Sequence, residues 1–183
     1  MDRRLILSSL VLVPAAALAT QAIGAASAMP EGKAETDHAE QTAKVGSLSL
    51  ATSRIAVQRA SGAEVKKFAG FEVAEQETVA DILASMKKAA EEAKGALVVP
   101  SDAQVQAMLD ADGKAMLDKL NALSGGAFDK AYVQGQVDGH NKLLVIQEDY
   151  LKVGKNREHL DVAKLARGMI KEHLQHLADL TAA

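Results

Sequence analysis

No cysteine occurs in the 183 residues. Its absence excludes disulfides, iron–sulfur clusters, a lipid-bearing cysteine and a thiol nucleophile. Tryptophan is missing as well, and aromatic residues make up only 3% of the chain. Such a composition suits a helical core of Ala, Leu and Val better than a β-sandwich. There is no glycine-rich phosphate loop and no nucleophile–base arrangement. A basic stripe and an aromatic platform are also lacking, so no nucleic-acid partner is expected.

One apolar run is present, at the start. "MDRRLILSSLVLVPAAALATQAIGAASAM" has a basic opening at Arg3 and Arg4, an apolar stretch and then small residues. Ala26-Ser27-Ala28 fits the A-x-A cleavage pattern, so residues 1–28 read as a signal peptide. Ala17-Leu18-Ala19 is a second cleavage candidate, and an uncleaved anchor is the alternative fate. The run is short and Ala-rich for a membrane span, and no second one follows, so no integral span is expected after cleavage. Arg3-Arg4 before Leu5-Ile6-Leu7 loosely resembles a twin-arginine signal, although Asp2 stands where a Ser is usual. Export to the periplasm is expected by either route. Loss of Asp2, Arg3 and Arg4 takes the formal net charge from −3 to −4. The remaining chain of about 155 residues is long enough to be stable through its core alone.

Residues 29–36, "MPEGKAET", read as a flexible leader, and 37–183 as one domain. A 3.6-residue apolar period dominates from there. It predicts helices over about Thr36–Ala60, Ala63–Lys94, Ala127–Val153 and Arg157–Leu180, with shorter helices over Asp102–Asp112 and Lys114–Leu123. Ser61 and Glu64, and again Ser101 and Gln104, have capping-box spacing. Gly154 is a stop signal and Asn156 a cap for the last helix. Lys87–Glu91 and Lys88–Glu92 have ion-pair spacing on a solvated face. The expected fold is all-α: a four-helix bundle whose two antiparallel hairpins are joined by a long helical crossover, as in ferritin-like domains.

Several polar residues fall on the apolar faces. Glu72 is four residues after Phe68 and seven before Val79, and Gln76 lies one turn further on. Glu75 sits at the margin of the stripe and Glu77 points away. His140 lies between Val137 and Leu144, and His173 between Met169 and Leu177. If the crossover returns the chain to its starting end, Glu72, Gln76, His140 and His173 reach one level of the bundle. His38, His159 and His176 read as solvated.

The stretches "SGAEVKKFAGFEVAEQETVADIL", "LNALSGGAFDKAYVQGQVDGHNKLL" and "IKEHLQHLADL" resemble the exported bacterial ferritin-like proteins called domain of unknown function 4142 (DUF4142). The resemblance covers about residues 40–180, and "LSGGAFDKAYV" with "GHNK" is its most specific part. It implies a periplasmic four-helix ferritin-like domain with no established activity. His140 and His173 match the family's histidine positions. Where family members often carry Asp-His, this chain has Glu75-Gln76, which removes a potential metal ligand.

A di-iron carboxylate centre requires four carboxylates and two Glu-x-x-His pairs. Glu35–His38 is the sole such pair here, so ferroxidase chemistry is not expected. The leading reading is a non-enzymatic exported bundle with no cofactor and an envelope or stress-related role, the role implied by the resemblance. On it, Glu72 and the histidines satisfy one another as buried polar groups normally do. The alternative is a metal-binding or redox bundle holding a single transition-metal ion through Glu72, Glu75, His140 and His173. Glu72, His140 and His173 alone supply one carboxylate and two imidazoles, which suit iron, zinc, manganese or copper. A protein partner or a second copy of the chain stays open, and an apolar patch on the short helices between Ala103 and Leu123 would mark such a surface.

Overall fold

The computed structural model describes residues 31–88, 92 and 94–182. The expected signal peptide and its cleavage site lie outside the described residues, as does Glu91 of the Lys87–Glu91 pair. Six helices follow in order: α1 Lys33–Arg59, α2 Ala63–Ser85, α3 Asp102–Ala107, α4 Ala111–Asn121, α5 Gly125–Val153 and α6 Arg157–Ala182. Among the described residues there is no strand, and no helix is long and apolar enough to cross a membrane.

Four long helices make the bundle. α1 packs on α2 and on α5, and α5 packs on α6. Cross-helix bonds give the directions. Ser53 meets Tyr132, Ser49 meets Gln136 and Thr42 meets Gln147, so α1 and α5 run antiparallel. Ser49 also meets Glu72, Arg167 meets Glu148, and the turn at residues 60–62 reverses α1 into α2. α2 and α5 are therefore parallel, and residues 86–124 return the chain to the end from which α2 starts. α3 and α4 lie on α1 along this crossover. Arg54 anchors it: its guanidinium donates to Glu77 Oε1 at 2.8 Å, to the Pro100 carbonyl at 2.9 Å and to Asp102.

Helix ends differ from expectation where a distant residue intervenes. α1 begins at Lys33, taking in part of the expected leader, because Glu35 is buried and its Oε2 accepts from the Gly32 amide at 3.0 Å. Ser61 and Glu64 do not form a box. Instead Asp129 of α5 caps α2, accepting from the Ser61 amide at 3.0 Å, the Gly62 amide at 2.7 Å and the Ser61 hydroxyl at 2.6 Å. α2 stops at Ser85, nine residues short of Lys94. The other two caps form as expected: Ser101 with Gln104, and Asn156 Oδ1 accepting from the Glu158 and His159 amides at 3.0 and 3.3 Å.

The interior is layered along the bundle axis. One apolar cluster joins Ala56, Phe68, Leu120, Phe128, Tyr132 and Leu177 near the α1–α2 turn. Burying each large side chain there contributes about 1.5–3 kcal/mol. A second, smaller cluster centres on Leu143, Ala166 and Ile170. Between the two lies a polar layer holding Ser49, Glu72, Gln76, Gln136 and His140. Beyond the second lies another, holding Glu35, His38, Thr42, Gln147 and His159. The backbones of α2 and α6 seldom approach closely, and polar side chains bridge the seam between them.

Candidate metal centre

The first polar layer gathers side chains from all four long helices. Glu72 (α2) is fully buried, and His140 (α5) is 1% exposed. His173 (α6) reaches the pair from across the seam. Three atoms converge. Glu72 Oε2 is 3.0 Å from His173 Nδ1 and 3.3 Å from His140 Nε2, and the two ring nitrogens are 3.1 Å apart.

Neighbouring groups set the protons. His140 Nδ1 lies 2.8 Å from the Gln136 carbonyl, four residues earlier on α5. A carbonyl only accepts, so Nδ1 donates, and a neutral ring presents a bare Nε2 to the centre. His173 Nδ1 faces that lone pair and the Glu72 carboxylate together, so it carries a proton shared between them. Burial opposes charge on His173, but the hydrogen bond to Glu72 and the charges of Glu75 and Glu72 outweigh it and raise its pKa. Burial alone would raise the Glu72 carboxyl. Hydrogen bonds from His173 and Ser49 overcome that and hold it well below the usual carboxylate range.

The second Glu72 oxygen is engaged on the other side. Ser49 donates to Oε1 at 2.6 Å, and Gln76 Nε2 donates at 2.9 Å. The Ser49 hydroxyl is also 2.7 Å from Gln136 Oε1, and Gln136 Nε2 donates to Thr52 and Ser53 at 3.0 and 3.2 Å. Ser53 in turn meets the Tyr132 hydroxyl at 2.8 Å. Glu72 is thus locked in one rotamer by α1 and its own helix. Gln76 fits because Gly46 faces it, since a Cβ at that position would overlap the Gln76 amide oxygen.

Of the four expected ligands, Glu72, His140 and His173 come together, and they form the one such cluster found among the described residues. Glu75 stands elsewhere. Its Oε2 lies 3.3 Å from His173 Nε2, on the opposite edge of the ring from Glu72. It is the carboxylate behind a histidine, not a fourth converging atom. Ser49 and Gln136 join the layer without a strong sequence signature. Their signal is weak: the small hydroxyl residues Ser49, Thr52 and Ser53 interrupt an apolar stripe, and Gln136 is one turn before His140.

The expectation that His38 and His159 are solvated is overturned. They are 2% and 1% exposed, at the second polar layer. The N-terminal turn of α1 and the α5–α6 turn cover each other there, so neither ring reaches water. His176 is exposed, as expected.

A di-iron centre does not fit these residues. A mononuclear set does. Bonds of about 2.1 Å at right angles place neighbouring ligand atoms about 3.0 Å apart, and tetrahedral angles about 3.4 Å apart. The observed 3.0, 3.1 and 3.3 Å fall in that range. Two imidazoles and one carboxylate on one face are a donor set that suits iron(II) and its neighbours.

Fold and site define an all-helical bundle with a buried carboxylate–histidine layer midway along its axis. Residues 19–180 match the family described as Domain of unknown function (DUF4142), and the chain belongs to that family. No curated protein and no solved structure matches it.

Proposed function

We propose that this is an exported periplasmic bundle that binds one transition-metal ion through Glu72, His140 and His173, in an envelope or stress-related role. The observation that carries the reading is the convergence of three donor atoms within 3.3 Å, two of them imidazole nitrogens oriented by groups behind them. Binding displaces the proton that His173 Nδ1 shares, and Glu75 then accepts from Nε2–H and keeps the ring in place. The compartment rests on the leader sequence, and the role on the family resemblance. The ion's identity is left to availability, since iron, zinc and manganese all accept this donor set.

A second reading has its own support. Glu72 already has partners on both oxygens without an ion. On that reading the layer is a satisfied polar core that holds the helices in register. Metal analysis of protein taken gently from the periplasm separates the two. About one equivalent, lost in His140→Ala, supports the metal site. Less than about a tenth of an equivalent, with no rise on reconstitution, leaves the packing reading standing.

A further inference from the structure

The second polar layer holds another histidine pair, and its protons can be counted. Gln147 Nε2 donates to Thr42 Oγ1 at 3.0 Å, which turns Gln147 Oε1 toward His38 Nε2 at 2.7 Å. That oxygen only accepts, so His38 carries its proton on Nε2 and leaves Nδ1 bare. His159 Nδ1 lies 3.2 Å from the bare nitrogen and must donate to it. A neutral His159 ring then has only a lone pair on Nε2. This atom is buried with no hydrogen-bond partner, on a side chain 2% exposed.

What it faces is a carboxylate. Glu31 Oε1 stands 3.6 Å from His159 Nε2, too far for a hydrogen bond. The other carboxylate nearby is already used: Glu35 Oε1 accepts from the Tyr150 hydroxyl and the Lys155 and Asn156 amides, and Oε2 from the Gly32 amide. A lone pair facing an anion in a buried site is unfavourable, and a cation between them satisfies both. The arrangement repeats that of His140, a ring whose other nitrogen is committed to a partner behind it, with Nε2 aimed at a carboxylate.

We propose that His159 and Glu31 hold a second divalent transition-metal ion at the rim of the bundle, with water completing its coordination. Bonds of about 2.1 Å to two atoms 3.6 Å apart subtend about 120°, an angle open enough for tetrahedral or five-coordinate geometry. Imidazole with carboxylate selects zinc, copper or their neighbours over calcium and magnesium. Glu31 is 41% exposed and gives the ion a route in. His159 and His173 are fourteen residues apart on α6, about 21 Å of helix rise, so the two sites fill independently. A proton is the competing occupant of the same gap.

The test is calorimetric titration of the metal-stripped full chain with Zn2+ at neutral pH, alongside side-chain 15N spectra of the histidines. The wild type is expected to take two ions. Glu31→Gln, at a half-exposed position that does not threaten folding, weakens one of them at least tenfold and leaves the other. Glu72→Gln removes the other and keeps the rim ion. His159 Nε2 shifts to a metal-bound resonance as the rim site fills. If Glu31→Gln leaves both binding steps unchanged, or His159 Nε2 keeps a proton through two equivalents of Zn2+, the rim site is overturned. If Glu72→Gln changes nothing while Glu31→Gln does, the mid-bundle reading fails and the rim site stands.

Discussion

Glu75 Oε2 and His173 Nε2 are 3.3 Å apart, while the opposite nitrogen of the same ring points at Glu72. The imidazole is held between two carboxylates of one helix, one fully and one largely buried. Glu75 therefore orients His173 without competing for the ion. In Glu75→Gln, metal affinity at the mid-bundle site is expected to fall about 10–100-fold. Unfolding free energy in the metal-free protein should fall by about 1–2 kcal/mol, since Gln keeps an acceptor for Nε2–H but loses a largely buried charge-assisted bond. Paired metal titrations and urea melts check both.

Glu72→Gln lowers both affinity and stability further. It removes the buried charge that His140 and His173 face. The metal-free protein is expected to lose about 3–5 kcal/mol in urea unfolding, as when one partner of a buried ionic set is removed. Metal binding at this site should be lost. A variant as stable as the wild type would show that the carboxylate is not paired as described.

Glu35 predicts an acid-dependent loss of stability. Burial would raise its carboxyl, but the Lys155 amide, the Tyr150 hydroxyl, its own amide and the Asn156 amide hold it down to about 2 from 4.5. A depressed folded value stabilises above the unfolded one and is lost as pH falls through the folded one. The contribution is therefore complete above about pH 4.5 and fades toward pH 2. Urea midpoints measured between pH 5 and 2 should converge for the wild type and Glu35→Gln. Parallel curves would refute the assignment.

Gly154→Ala tests packing at the α5–α6 turn. Gly154 has φ −62°, so its backbone suits any residue. A Cβ there would collide with the Tyr150 ring, which stacks on His38 with centroids 4.2 Å apart. A loss of about 1–3 kcal/mol is expected from the overlap. Thermal melts measure it, and a neutral result would mean that the ring moves freely.

Asp129→Ala should cost about 1–2 kcal/mol, although Asp129 is not next to the helix it caps. It supplies the acceptors for the first amides of α2 from α5. Denaturant unfolding of this variant and of Ser61→Ala, which loses only the hydroxyl bond, should rank Asp129 as the larger effect.

The contrast between Asp129 and Ser61 shows where sequence reading stops. Ser61 and Glu64 have the right spacing for a local box, yet a carboxylate 67 residues from Gly62 displaces them. Glu72, His140 and His173 could be placed in one layer because each lies mid-helix, where the apolar stripe on both sides shows which way it faces. His38 and His159 lie at helix starts, with stripe on one side only, so the local pattern reads as solvated although both rings are buried. Their burial comes from chain that the local pattern does not contain.

The amino-acid sequence alone determined that the protein is a bundle of long helices with acidic and imidazole groups on inner faces, because helical periodicity is a local property of the chain. Tertiary structure decided which of those groups share a proton. Glu75 went behind His173, Asp129 onto the end of α2, and His159 into the interior. Each outcome depends on a few tenths of a nanometre between helices far apart in sequence, and no periodicity within a single helix encodes that separation.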